Sequence, residues 1–286
     1  MAAIRLIEAM GVVQKWREVD HLVQSGQQQI GRAFAAQGRA VMKAFMAMRP
    51  YFVEEAVWLR PYTRDDIDMA SFYLAEASPI PDDEWSRLWA MVARNTLSLM
   101  LAPLVDMNEL GLQLGAGALA GTLGVDPEKA FSLKNPRAVA YLEKHGADLV
   151  TEIFEETRSQ MKVIVTRAAK DGWSYTRTAK EIKNRFDGFA GLKPQRHIRD
   201  RATLVAVTEV GQAYEEGSRI VALGLEGSGV PMQKFWRTSG DERVSAGCKD
   251  NQAAGWLSVR TQFPSGHDRP LRFPGCRCSA LYRRAR

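Results

Sequence analysis

Residues 232–244 read MQKFWRTSGDERV, and this stretch divides the chain into two textures. Its aromatic and β-favouring residues predict a short strand, and Ser239-Gly240-Asp241 closes it as a turn. Upstream, apolar residues recur at helical spacing; downstream, prolines, glycines and short apolar pairs replace long periodicity. The sequence therefore predicts a mostly α protein with a small α+β C-terminal domain, preceded by an elongated helical N-terminal region.

Working upstream, DRATLVAVTEVGQAYEEGSRIVALGL (200–225) predicts a helix with Leu204, Val207, Gly211, Tyr214, Ser218 and Val221 on one side. Before it, SYTRTAKEIKNRF predicts a short helix capped by Ser174, with Ala179, Ile182 and Phe186 inward. A long helix is expected from near Pro136 to Gly172, with a break around His145-Gly146. The stretch GAGALAG (115–121) invites a phosphate-loop reading, but it fits neither G-x-G-x-x-G nor G-x-x-x-x-G-K-[ST] and follows no strand. Glycine and alanine at this spacing point instead to a turn or to close backbone packing. Pro81 starts another helix, with Asp82, Asp83 and Glu84 in its first turn and Trp85, Leu88, Met91 and Leu97 as its expected buried side. Residues 19–48 form an amphipathic helix through Leu22, Ile30, Phe34, Val41, Phe45 and Met48, which Pro50 ends. There is no internal repeat and no low-complexity tract.

The 286 residues are 45% hydrophobic and 25% charged, with a formal charge of +6. That is the composition of an ordinary globular protein with a basic bias. The terminal arginines Arg269, Arg272, Arg277, Arg283, Arg284 and Arg286 suit nonspecific contact with polyanions, or form a solvated tail. Three cysteines are too few for a secreted disulfide framework and predict synthesis in a reducing compartment. No signal peptide is expected, because charges at Glu8, Lys15, Arg17 and Glu18 interrupt the first segment. Asp106 and Glu109 divide the most apolar region into pieces shorter than the roughly 18 apolar residues of a membrane span, so none is expected.

Cys248, His267, Cys276 and Cys278 are the soft-metal candidates, since zinc takes four nitrogen or sulfur ligands in a tetrahedron. Their spacing departs from paired C-x₂-C knuckles, and unligated buried thiols rank ahead of zinc. A disulfide between Cys248 and one member of the C-R-C pair is the third reading, and it leaves one thiol over. No cofactor is expected, with zinc as the lesser alternative. None of His21, His145, His197 and His267 sits in a catalytic motif. The acidic pairs Asp65-Asp66, Asp82-Asp83, Glu155-Glu156, Glu215-Glu216 and Asp241-Glu242 read as helix starts, solvated faces and a turn. Glu209, on an apolar helix face, reads as the partner of an arginine such as Arg201 or Arg243. No catalytic residue is assigned, and the chain is not expected to be an enzyme.

Taken in order, RATLVAVTEVGQAYEEGSR (201–219), KFWRTSGDERVSAGCKDNQAAG (234–255) and FPGCRCSAL (273–281) resemble the phage head morphogenesis family, the F-like minor head proteins of tailed bacteriophages. The matching positions are Arg201, Ala202, Thr208, Glu209, Ala213, Tyr214, Glu216, Gly217, Trp236, Thr238, Asp241, Arg243, Val244, Gly255, Pro274, Cys276, Arg277 and Cys278. The resemblance covers residues 137–286 as the head morphogenesis domain, while residues 1–130 share a family-like helical texture. The chain departs from the family at Ser245, where members carry cysteine or histidine, and at Phe273, where they carry histidine; both departures count against a metal site.

The resemblance implies a minor capsid protein of the virion, made in the bacterial host cytoplasm, that acts in head assembly beside the portal and other head proteins and contacts or accompanies DNA nonspecifically. It makes Trp236, Asp241 and Arg243 architectural, with the arginine bonded to Glu209. Homo-oligomerisation through the N-terminal helices is a further expectation. Two alternatives remain: a sequence-independent DNA-binding protein with a continuous basic face, and a nuclease-like or other DNA-processing enzyme that gathers Glu209, Asp241, Arg243 and His267 in one cleft.

Overall fold

A computed structural model of the chain describes residues 2–47, 82–171, 173, 177–178, 180–182, 184–185 and 201–285. Its elements are α1 (Ala2–Ala47), α2 (Asp82–Leu123), α3 (Pro127–Ala130), α4 (Pro136–Lys170), α5 (Arg201–Gly227), β1 (Met232–Arg237), α6 (Ala246–Ala253), β2 (Leu257–Ser258) and β3 (Ser279–Arg284). The three strands form one antiparallel sheet of order β2-β1-β3. The fold is mostly α with a small α+β terminus, as the change of texture at residue 232 predicts.

The chain resolves into two compact units, each discontinuous in sequence. One comprises Met1–Ile30, Ala102–Gly146 and Lys193–Arg286; the other comprises Gly31–Leu101 and Ala147–Leu192. Because α1, α2 and α4 each contribute to both units, this spatial partition differs in kind from the sequence division into 1–130 and 137–286.

In the second unit, α2 buries Trp85, Leu88, Trp89, Val92, Thr96 and Met100, and the two indoles stack at 6.3 Å. Met91 and Leu97, expected on that side, are exposed. The helical phase explains the correction: seven residues on from Trp85, Val92 lies only about 20° off its direction, whereas Met91 points about 120° away. On α4, Thr157, Met161, Ile164 and Ala168 are buried. Trp173 is buried between the guanidinium groups of Arg167 and Arg177, at 5.5 and 4.3 Å from its ring. Ile182 is buried as expected, while Ser174, Ala179 and Phe186 lie outside the described residues.

In the first unit, α2 and α5 pack backbone against backbone. A Cβ on Gly115 would come within 1.8 Å of Tyr214 O, and one on Gly217 within 2.0 Å of Leu112 O. Ser218 Oγ donates to Gly115 O at 2.8 Å, so the close approach also satisfies a polar group. The GAGALAG stretch is therefore an uninterrupted helix whose glycine permits contact, and the turn reading does not hold. This continuity carries α2 across Asp106 and Glu109, and its Trp85–Leu123 part is long and apolar enough, by length and composition, to cross a membrane. The protein buries Leu104, Met107, Leu112 and Ala116, and exposes Leu110 and Leu114.

Helix α4 runs unbroken through His145-Gly146, contrary to the expected break. The Tyr141 and His145 rings, one turn apart, lie 4.3 Å from each other across that point. Helix α1 begins well before residue 19 and buries Val19, Val23, Ile30, Phe34 and Val41. Pro50 and Met48, and the side chain of Phe45, lie outside the described residues.

Strand β1 buries alternate residues, Met232, Lys234 and Trp236. Met232 joins a cluster with Ala116, Leu119, Val221, Ala222, Val259 and Tyr282, which seats the sheet on α2 and α5. Trp236 joins a second cluster with Cys248, Phe263, Leu271, Cys276 and Cys278. Lys234, fully buried between them, donates to Asp268 O at 2.7 Å and lies 4.8 Å from the Phe263 ring centre.

Candidate functional site

The polar chemistry of the first unit radiates from α5. Three of its carboxylates are buried, Glu209, Glu215 and Glu216, each at least nine-tenths covered. Glu209 accepts from Asn108 Nδ2 of α2 at 3.3 Å, and Tyr141 of α4 donates to Asn108 Oδ1 at 3.1 Å. Glu215 accepts from Lys15 Nζ of α1 at 2.7 Å and from the Ala280 backbone N–H of β3 at 2.9 Å. Lys15, itself buried, also donates to Cys278 O at 3.2 Å. Glu216 takes Arg219 and Arg269. A buried carboxylate is tolerated only when such partners replace its water. The Glu215-Glu216 pair, expected on a solvated face, is thus a structural hub joining α1, β3 and the loop that carries Arg269. Burial raises the Tyr141 and Tyr214 phenols well above their ordinary range, and the Glu18 carboxylate that accepts the Tyr214 hydroxyl at 2.9 Å adds to the shift there.

Past β1 the chain is fixed by local polar contacts. The Thr238 backbone N–H and hydroxyl both donate to Gln252 Oε1, at 2.9 and 2.7 Å, holding the strand end to α6. Asp241 accepts the Arg243 backbone N–H at 3.1 Å and forms an ion pair with Arg277, whose guanidinium holds its carboxyl below the usual range. The Gly275 N–H donates to Thr208 Oγ1 of α5 at 3.0 Å. Motif positions far apart in sequence therefore meet: Thr208 beside Gly275, and Asp241 beside Arg277. The guanidinium paired with Asp241 is that of Arg277, while Arg243 is exposed.

The three cysteines converge behind Trp236. All are buried and free, and their sulfurs lie within 4.8 Å of one another, with Cys248 and Cys276 at 3.9 Å. Cys248 sits in the first turn of α6, where Ser245 is the N-cap and accepts its backbone N–H. The Cys248 and Cys278 thiols and the backbone N–H groups of Cys278 and Arg272 hydrogen-bond to Cys276 and hold its thiol far below the ordinary range. Cys248 and Cys278 are pushed up in turn by bonding to their neighbours. His267, the fourth sequence candidate, stands outside this group: its Nδ1 meets Ser265 Oγ at 3.0 Å and Ser265 O at 2.9 Å.

The terminal arginines do not act alike. Arg269 is committed to Glu216 and lies 5.5 Å from the Tyr141 ring centre, which removes it from a DNA-facing set. Arg272 lies against Gly247, its Nη1 buried with no hydrogen-bond partner among the described residues. Arg283 packs at 4.0 Å from the Trp256 ring centre and donates to Gln233 at 3.0 Å. Arg284 is exposed, and Arg286 lies outside the described residues. Pro274 is exposed, Gly217 lies in the α2–α5 contact, and the Arg201 side chain is outside the described set.

Glu209 faces Asn108, Asp241 faces Arg277 and His267 faces Ser265, three different sets of partners. Searches of protein-family models, of curated proteins and of solved structures found no match for the chain.

Proposed function

We propose that the protein is a minor structural component of a tailed-phage virion, acting in head assembly beside the portal. The observation that carries this reading is that the three ordered sequence blocks resembling F-like minor head proteins pack together as one substructure. Helix α5 from the first block underlies the sheet. Asp241 from the second pairs with Arg277 from the third, and Thr208 from the first binds the backbone of Gly275 in the third. The shared residues hold backbone segments together, which is the work of an architectural domain. DNA contact, where it occurs, falls to the exposed Arg284 and the partly exposed Arg283 and is nonspecific and salt-dependent.

The test is quantitative detection of the chain in density-purified tailed particles from the bacterium that carries the gene. A few copies per particle, remaining with portal and head after disruption, are expected. A chain absent from the particles, or nuclease activity with Mg²⁺ that Glu209→Gln or Asp241→Asn abolishes, overturns the reading.

A further inference from the structure

We propose that Cys248, Cys276 and Cys278 form a three-thiolate site for one zinc-class divalent cation, with the fourth tetrahedral position left to water or an outside ligand. Two thiolates bound to one zinc at ~2.3 Å stand about 3.8 Å apart in a tetrahedron. Cys248 and Cys276 are already 3.9 Å apart, and the third sulfur is within 4.8 Å of both. A disulfide needs about 2.05 Å and joins only two of the three.

The surroundings favour a negatively charged centre. Three thiolates and one divalent cation carry a net charge of −1, which requires donors and positive charge nearby. The cluster around Trp236 has an excess of donors: the Trp236 indole Nε1 and the Arg272 Nη1 are both buried without a hydrogen-bond partner among the described residues. Cys248 lies in the first turn of α6, where the helix N-terminus also favours a thiolate.

The chemistry balances without a redox step. Each thiol that enters as S–H loses its proton to water as its sulfur binds the cation, with no change of oxidation state. The spacing between Cys276 and Cys278 has one residue instead of two, so both sulfurs arise from one bend in the chain while Cys248 approaches from α6. His267 is held by Ser265 and supplies no ligand. The proposal is independent of the virion reading, because none of these contacts depends on it.

The experiment is titration of Co²⁺ into the reduced, metal-stripped full chain, followed by displacement with Zn²⁺. The expected result is one Co²⁺ per chain, with thiolate-to-metal charge-transfer absorption, tetrahedral visible bands, and protection of all three thiols from alkylation. Cys248→Ser, Cys276→Ser and Cys278→Ser each weaken binding more than 100-fold, Arg272→Met weakens it about tenfold, and His267→Ala leaves it unchanged. Should a serine variant fail to fold, the wild-type spectrum and thiol protection decide alone. Three unprotected thiols with no Co²⁺ spectrum overturn the proposal in favour of free buried thiols. One free thiol counted in the denatured chain as purified, before reduction, overturns it in favour of a disulfide, and loss of binding in His267→Ala overturns the assigned ligand set.

Discussion

The α2–α5 contact and the segment after β1 are held by opposite means. Around Gly115 and Gly217 the two helices approach backbone to backbone, and small residues such as Ala213 and Ala116 line the seam. After β1 the backbone follows no long periodicity, and around the Trp236 cluster its bends are held by backbone hydrogen bonds and by polar pairs such as Thr238 with Gln252, Asp241 with Arg277 and Asn251 with Ser265. Substitutions therefore act differently in the two regions. The helix contact fails by steric intrusion, whereas the terminal segment fails one contact at a time, except where a buried carboxylate of α5 joins the two regions.

That exception gives the largest expected effect. Glu215→Ala leaves Lys15 buried without its counter-charge and frees the Ala280 N–H, and its expected cost is about 3–5 kcal/mol in denaturant unfolding. Loss below 1 kcal/mol would mean that the pair is dispensable and that α1 and β3 are held independently. Next comes Gly115→Ala, whose added Cβ meets the Tyr214 carbonyl; about 1–3 kcal/mol is expected. Gly117→Ala on the same helix meets nothing within 4 Å and is expected to stabilise by up to about 1 kcal/mol. Equal effects at the two glycines would remove the distinction between the seam and the rest of α2.

A smaller effect belongs to Lys234, which burial lowers to about 8. An unfolded lysine titrates near 10.4, so between pH 8 and that value the unfolded chain binds more protons and stability rises with pH. The buried tyrosines reverse this trend once unfolded tyrosine ionises near pH 10, which confines the window to about pH 8–9.5. The difference in stability between wild type and Lys234→Met should shift in favour of wild type across that window; a pH-independent difference would contradict it. Smallest is Asp241→Asn at the half-buried ion pair with Arg277, expected to move the unfolding midpoint slightly and less at high salt.

Much of this architecture is legible in the sequence because helices and strands announce themselves by period. Helix α5, the strand at 232–237 and the alternative reading of GAGALAG as close packing come from spacing and residue size alone. What is not legible has a common physical form. Glu215 and Glu216 resemble a solvated acidic pair because their partners, Lys15 and Arg269, lie 200 and 53 positions away. The remaining signal was their placement between Tyr214 and Ile220 on a helix apolar on several sides. A lysine is ordinarily solvent-facing, yet alternation with Met232 and Trp236 assigns Lys234 to the buried face. Gly146 looked like a helix end because glycine costs about 1 kcal/mol in a helix, a penalty that tertiary packing readily outweighs. Residue type alone gathers the three cysteines and His267 as one candidate set; the three sulfurs lie together, while His267 turns to Ser265, a contact no spacing rule reveals.

Glu215 joins Lys15 of α1 to the Ala280 N–H of β3, so α1 and the terminal sheet are expected to open as one cooperative structure. Hydrogen exchange on the full chain, comparing wild type with Glu215→Gln, tests this most directly. Amides around Lys15 in α1 and around Ala280 in β3 are expected to lose protection together and by similar factors. Loss of protection in one of these segments while the other remains as in the wild type would contradict it.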